Sequence, residues 1–218
     1  MTQKKTSSTS NPTLRFERQL LRKHGGLLLA VDEVGRGSCA GPVSCGVVVI
    51  DIDSPPLHGI RDSKLMSPRE REIAIEKIEN WALGSAVGHA SPAEVDVLGL
   101  TGALHLAASR ATTQVGLVLS VVLLDGNVDW FSPLGSFSGK QGTPPVYTKV
   151  KADLSCTAVA AASVIAKVTR DQLMVSCAEN FPNYGWEVNK GYATPAHIAA
   201  IRKYGLTSEH RKSWKIRI

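Results

Sequence analysis

At 218 residues, with 43% hydrophobic and 20% charged residues, the chain has the make-up of one globular domain, with or without an appended lobe. Its net charge of +6 permits a polyanionic partner, and no apolar run is long enough to span a bilayer, so a cytoplasmic protein without membrane association is expected. The four cysteines, Cys39, Cys45, Cys156 and Cys177, show neither C-x-x-C pairing nor zinc-like spacing, which excludes a zinc ribbon and reads as small hydrophobes in a reducing compartment.

Residues 1–12 are polar and low in complexity and predict a disordered tail. Residues 1–24 together are expected to form a flexible tail and lead-in, and no long apolar segment follows the early lysines, so no secretory signal is read there. L27 to D32 predicts a strand and V43-S-C-G-V-V-V-I50 a second, with G35, G37, G41 and P42 as turn signals between them. R69 to W81 has helical period with Ile73, Ile78 and Trp81 on its core side. S85 to A90 predicts a short strand, and S91-P-A-E94 has the form of a helix start for a segment running through Ala103 to Gln114. V118 to L124 predicts another strand, ending at Asp125. The Gly-, Ser- and Pro-rich segment 130–145 reads as an exposed loop, and V146 to A152 as a strand ending at Asp153. The alanine-rich segment A158 to M174 predicts a helix packed closely on a sheet, and A196 to Tyr204 a helix stopped by Gly205. Strands and helices alternate, which indicates an α/β fold with a mixed sheet.

Three predicted strands end in acids: Asp32 and Glu33, Asp125, and Asp153. Functional groups collect at the carboxyl ends of strands in such sheets, but adjacent strand residues point to opposite faces. Asp32 and Glu33 therefore share a site only if the strand bends or stops, and Gly35 is placed to allow that. Two like charges ~4 Å apart cost about 4 kcal/mol at an effective dielectric near 20, so converging carboxylates require protons or cations. All-oxygen ligands suit Mg²⁺ or Mn²⁺, and nearby basic residues point to a phosphodiester hydrolysed with two metal ions. The alternative stays open on these grounds alone, with D125-G126 as a turn and Asp153 as a helix cap.

The chain resembles bacterial ribonuclease HII, the type 2 ribonuclease H, in D32-E-V-G-R-G37, A40-G-P-V43, R61-D-S-K64, S67-P-R-E70, L124-D-G126, K151-A-D153, A160-A-A-S-V-I-A-K-V-T-R-D171, N189-K-G-Y192 and H210-R211. The resemblance covers nearly everything after the tail. It implies a ribonuclease H-like mixed sheet flanked by helices, as a catalytic domain over 25–175, with a C-terminal helical substrate-binding extension over 176–218. It also implies cleavage of RNA in RNA/DNA hybrids and of single ribonucleotides in duplex DNA, serving ribonucleotide and primer removal. Asp32, Glu33, Asp125 and Asp153 match the metal-binding catalytic carboxylates. Gly35, Arg36 and Gly37 match the loop that reads the ribose 2′-hydroxyl, Tyr192 the tyrosine that stacks at the junction, and Lys64, Ser163 and Lys167 positions that hold phosphates. Ser163, Lys167 and Arg170 share one helical face, which favours substrate contact; His197 reads equally as structural or functional. Departures from the family pattern are Ser38-Cys39, Leu65-Met66 and the segment before Val146. The competing readings are a DNA-specific nuclease of the same superfold, which the G-R-G loop and Tyr192 oppose, and a non-catalytic nucleic-acid-binding module, which would not need four acids. A monomer is expected.

Overall fold

The structure, a computed structural model, describes residues 11–61, 63, 66–132 and 143–215. Most of the expected tail, most of the 130–145 loop, and Lys64 lie outside the described residues. Strands β1 (Leu28–Val34) and β2 (Val43–Ile50) pair antiparallel, with Leu28 opposite Ile50 and Val34 opposite Ser44. β3 (Gly84–Ala90) continues antiparallel beyond β2, whereas β4 (Val121–Asp125) and β5 (Val146–Lys149) add in parallel on the other side of β1. The mixed sheet has the order β3-β2-β1-β4-β5.

Side chains alternate across the sheet with period two, and each face is covered by its own helices. Leu28, Ala30, Val48, Ile50, Val121 and Leu123 face α5 (Thr157–Asn180), with α1 (Arg15–His24) and α2 (Pro68–Trp81) beside it. Leu29, Val31, Val47, Val49, Val122 and Leu124 face α3 (Pro92–Val115). Both large helices lie close because glycine meets them. A Cβ on Gly46 would stand 2.3 Å from the Ala162 carbonyl oxygen, and one on Gly88 2.0 Å from that of Ala107. α2 and α3 begin with capping boxes, Ser67 with Glu70 and Ser91 with Glu94, each with proline in the first turn.

Several sequence expectations need correction. Residues 15–24 form α1, with Glu17, Leu20 and Leu21 buried, where a flexible lead-in was expected; only three of its ten residues are apolar, so its pattern was faint. α3 has the expected extent but is interrupted at Gly99 (φ 68°), which its pattern did not indicate. Ile73 of α2 is 52% exposed, and Ala74 with Ile78 takes the core side instead. β5 ends at Lys149, and Asp153 follows on a one-turn helix, α4 (Ala152–Ser155), rather than at a strand end. α5 runs unbroken through the expected boundary between 175 and 176.

After α5 the chain forms a short 3-10 turn (Pro182–Tyr184), α6 (Trp186–Asn189) and α7 (Pro195–Tyr204). These pack Tyr184, Trp186 and Ile201 against Cys39, Ala40 and Met174. His197 and His210 are both buried within this cluster. The Trp186 indole donates to His197 Nε2 (2.9 Å), and His197 Nδ1 lies 2.9 Å from the Tyr192 carbonyl oxygen. His210 Nδ1 accepts from the Thr207 amide (3.0 Å), and its Nε2 lies 3.2 Å from His197 Nε2. His197 thus holds the Tyr192 carbonyl at the turn that leads into α7. The cysteines are all free thiols, and among the described residues no helix is long and apolar enough to cross a membrane.

Two outcomes follow from this packing. Gly46→Ala is expected to lower stability by roughly 1–3 kcal/mol through overpacking against α5, measurable as a lower urea midpoint. Burial and the neighbouring His197 push His210 down from 6.5 to about 4. Because the unfolded chain then binds that proton more readily, stability should be full above pH 6.5 and fall as pH drops toward 4. His210→Gln should remove most of that slope in urea titrations.

Candidate active site

The sheet opens at the point where the first acids appear. β1 pairs with β4 only as far as Val31 opposite Leu124, whereas its pairing with β2 continues through Asp32, Glu33 and Val34. The β4-facing edge of Asp32 and Glu33 is therefore released from the sheet while β1 stays extended. The strand neither bends nor stops at the acids, contrary to the expected route to convergence. Asp32 continues the row of Leu28 and Ala30 toward α5, where the Ser163 hydroxyl hydrogen-bonds its carboxylate. Asp125, the last residue of β4, turns to the same side and accepts the Ala152 amide at 2.6 Å. That bond fixes the start of α4 and so brings in Asp153, which is buried.

Burial raises the Asp32 pKa well above the carboxylate range, and the nearby charges of Glu33, Asp125 and Asp153 raise it further. The four acids are therefore gathered around one electrostatic site. Burial also raises Glu33, opposed by Arg36, whose guanidinium donates to Oε1 at 3.1 Å. Glu33 Oε2 is buried with no hydrogen-bond partner among the described residues. An orphaned buried carboxylate oxygen beside other acids is what a hard cation would satisfy, so the oxygen donor set fits a divalent metal. As placed, no three His, Cys, Asp or Glu side chains among the described residues form a ready ligand cage. Asp125 Oδ1 is held by Ala152, Glu33 Oε1 by Arg36, and Asp32 Oδ1 by the Glu33 amide at 2.9 Å.

Beside the acids, the loop from Gly35 to Pro42 is held from below by two fully buried arginines. Arg170 donates to the carbonyls of Pro42 (2.9 Å), Lys190 (2.9 Å) and Ala40 (3.2 Å) and to the Ser38 hydroxyl (2.9 Å). Arg211 donates to the carbonyls of Gly35 (2.6 Å), Arg36 (3.1 Å) and Gly41 (3.1 Å). Gly35 has φ +80°, and a Cβ there would stand 2.1 Å from Arg170 Nε, so only glycine permits this turn over the guanidinium. In a planar trans peptide the C=O and the next N–H point in opposite directions. The inward carbonyls of Gly35 and Arg36 therefore turn the amides of Arg36 and Gly37 outward. Neither amide has a backbone partner among the described residues. Tyr192 is 38% exposed, borders Gly37, and has the Arg170 guanidinium 5.7 Å from its ring centroid.

The remaining predicted residues divide. Ser163 is buried and bonded to Ser63 (2.9 Å), and Lys167 pairs with Asp171 (2.7 Å). Arg170, read from sequence as part of a substrate-facing stripe, is instead turned wholly inward, because α5 rotates that position under the loop. Sequence reasoning missed the work of Ser63 and Arg211. Ser63 lies inside the quoted R61-D-S-K64 motif, and Arg211 stands in sequence only as part of the H210-R211 motif.

The ribonuclease HII family profile matches residues 29–217 of this chain. Ribonuclease HII of Streptomyces avermitilis is 42% identical over 205 residues, covering 93% of this chain and 83% of that protein. Ribonuclease HII of Paracoccus denitrificans is 38% identical over 206 residues, covering 93% and 91%. Among solved structures, ribonuclease H2 from Pyrococcus horikoshii OT3 superposes with a TM-score of 0.67 at 26% identity, covering 87% of this chain and 94% of the other. With the family profile spanning the sheet, the carboxylate site and the arginine-held loop alike, the chain belongs to the ribonuclease HII family, enzymes of the ribonuclease H class.

Proposed function

We propose that this chain is an endonuclease that hydrolyses the RNA strand of RNA/DNA hybrids and nicks duplex DNA 5′ to single embedded ribonucleotides. The products carry 5′-phosphate and 3′-hydroxyl ends, and the activity serves ribonucleotide and primer removal. The observation that carries the reading is the juxtaposition of four acids with the outward amides of Arg36 and Gly37 beside Tyr192. Two amides aimed at a sugar edge suit the 2′-hydroxyl, the group that separates RNA from DNA. An aromatic ring next to them suits stacking on the following sugar.

In this reading Asp32, Glu33, Asp125 and Asp153 would hold divalent metal, Mg²⁺ or Mn²⁺ in a two-ion site. Bound there, such ions activate water and neutralise charge on the departing oxygen. The protein's own part is to bind and orient. Gly35, Arg36 and Gly37 select the ribose, Tyr192 fixes the junction, and Lys64, Ser163 and Lys167 hold flanking phosphates. A groove of about 560 Å³ runs along α2 and α5, lined by Arg71, Lys167 and Lys190, and suits a phosphate backbone leaving the site.

The test uses a DNA duplex with one embedded ribonucleotide, with Mg²⁺, Mn²⁺ or chelator. Metal-dependent cutting 5′ to the ribonucleotide, none on all-DNA duplex and severe loss in Asp32→Asn are expected. Equal cutting of all-DNA duplex, or full activity in Asp32→Asn, would sink the reading. Arg211→Lys keeps the charge but lacks the planar fork that spans several carbonyls. It should cut the embedded ribonucleotide at least about tenfold more slowly through a displaced loop, with Mn²⁺ binding unchanged.

A further inference from the structure

The four carboxylates are not held alike. Asp32 and Glu33 lie within β1 and Asp125 ends β4, but Asp153 rides on α4, a helix of four residues. A single helical turn has almost no stability of its own, and Lys151 before it sits in the left-handed region at φ 56°. The position of Asp153 is therefore set from outside. At the start of α4, Asp125 accepts the Ala152 amide.

At its end stands the segment expected to be a flexible lead-in. The Thr13 amide donates to the Ser155 carbonyl (3.1 Å), and the Thr13 carbonyl accepts the Thr157 amide (3.3 Å). Thr13 thus forms a parallel bridge with Cys156, at the elbow between α4 and α5. One helical turn later, Glu17 is fully buried, and its Oε1 accepts the Ala158 amide at 2.9 Å. Oε1 satisfies one of the amides that a helix start leaves unpaired. Glu17 Oε2 has no hydrogen-bond partner among the described residues. A carboxyl is costly to bury with one oxygen orphaned, and what it gives in return is the bond to the Ala158 amide at the start of α5.

We infer that residues 13–17 are a positioning strap for the active site, in which Glu17 and Thr13 fix the α4–α5 elbow and thereby set Asp153 relative to Asp32 and Asp125. Glu17 is a positioning residue and touches no reacting group. The inference rests on the proposed reading of Asp153 as a metal ligand. Burial pushes Glu17 up to about 7, so near neutrality its contribution is the acceptor oxygen more than full charge. Glu17→Gln is accordingly the conservative variant.

The experiment titrates Mn²⁺ into the full chain without substrate, read by the paramagnetic resonance of free Mn²⁺. Wild type is compared with Glu17→Ala, Glu17→Gln and Asp153→Asn, and duplex binding is measured in chelator. Glu17→Ala should bind Mn²⁺ about tenfold more weakly, the scale for losing a residue that orients a ligand, with duplex binding in chelator unchanged. Glu17→Gln should bind Mn²⁺ as wild type does. Wild-type affinity in Glu17→Ala, or an equal loss in Glu17→Gln, overturns the strap. If Glu17→Ala does not fold, Thr13→Pro, which removes the amide donated to Ser155 and fixes φ there, replaces it, with Thr13→Ala as the control for the lost side chain: weakened Mn²⁺ binding in Thr13→Pro but not in Thr13→Ala supports the strap, and unchanged binding in Thr13→Pro or an equal loss in Thr13→Ala overturns it. Unchanged Mn²⁺ binding in Asp153→Asn would defeat the ligand reading itself, a failure distinct from that of the strap.

Discussion

Two guanidinium ions in the protein interior, neither in an ion pair with a carboxylate among the described residues, organise everything on the functional side of this molecule. Burying an ion is costly unless its hydrogen bonds are met. Here backbone carbonyls meet them. Burial and the neighbouring Arg170 lower Arg211 to about 10, which still leaves it charged at neutral pH. The charge is stable only while the carbonyls of the Gly35–Pro42 loop converge on it, and the loop is ordered only while the charge is there. Each is the other's solvent. The planar fork of arginine, with five donors in fixed directions, is what lets one side chain gather several carbonyls.

The electrostatics of the two halves of the site are complementary. On one side, acids crowd until burial and mutual repulsion raise Asp32 well above its usual range. On the other, buried positive charge draws the carbonyl ends of the loop inward and leaves amide hydrogens outward. Both arise where β4 leaves β1 after Leu124, because only an opened sheet edge lets side chains from two strands, a one-turn helix and a loop meet.

Much of this could be read from sequence, for definable reasons. β2 is apolar and β-branched along its length, and all eight of its residues are buried. Ser-Pro-x-Glu marked the start of α3 because it combines a cap, a fixed φ and a reciprocal acid, whereas the same box at Ser67 went unread and α2 was legible only from its period. The acids of β1 and β4 stood out as charges terminating apolar runs. Other features left no local trace. Arg170 looks like any helix-surface arginine, since burial depends on what covers the helix and not on its period. α1 carries little apolar signal, and its key residue, Glu17, is a charged one placed in the core. Asp153 was read as a strand end because the left-handed turn at Lys151, a non-glycine residue, gives no warning in composition. Ser63 and Arg211 act across 100 and 176 residues of chain, separations to which no spacing rule applies.

That last separation bears on the order in which the molecule comes to completion. Gly35 emerges early in synthesis and Arg211 near the end. A chain interrupted after Lys190 but before Arg211 retains all four acids, yet its loop is anchored by Arg170 alone. Contacts so distant along the chain also form late in folding, after local ones have reduced the search. The four acids are therefore in place along the chain before the second anchor of the Gly35–Pro42 loop has been made.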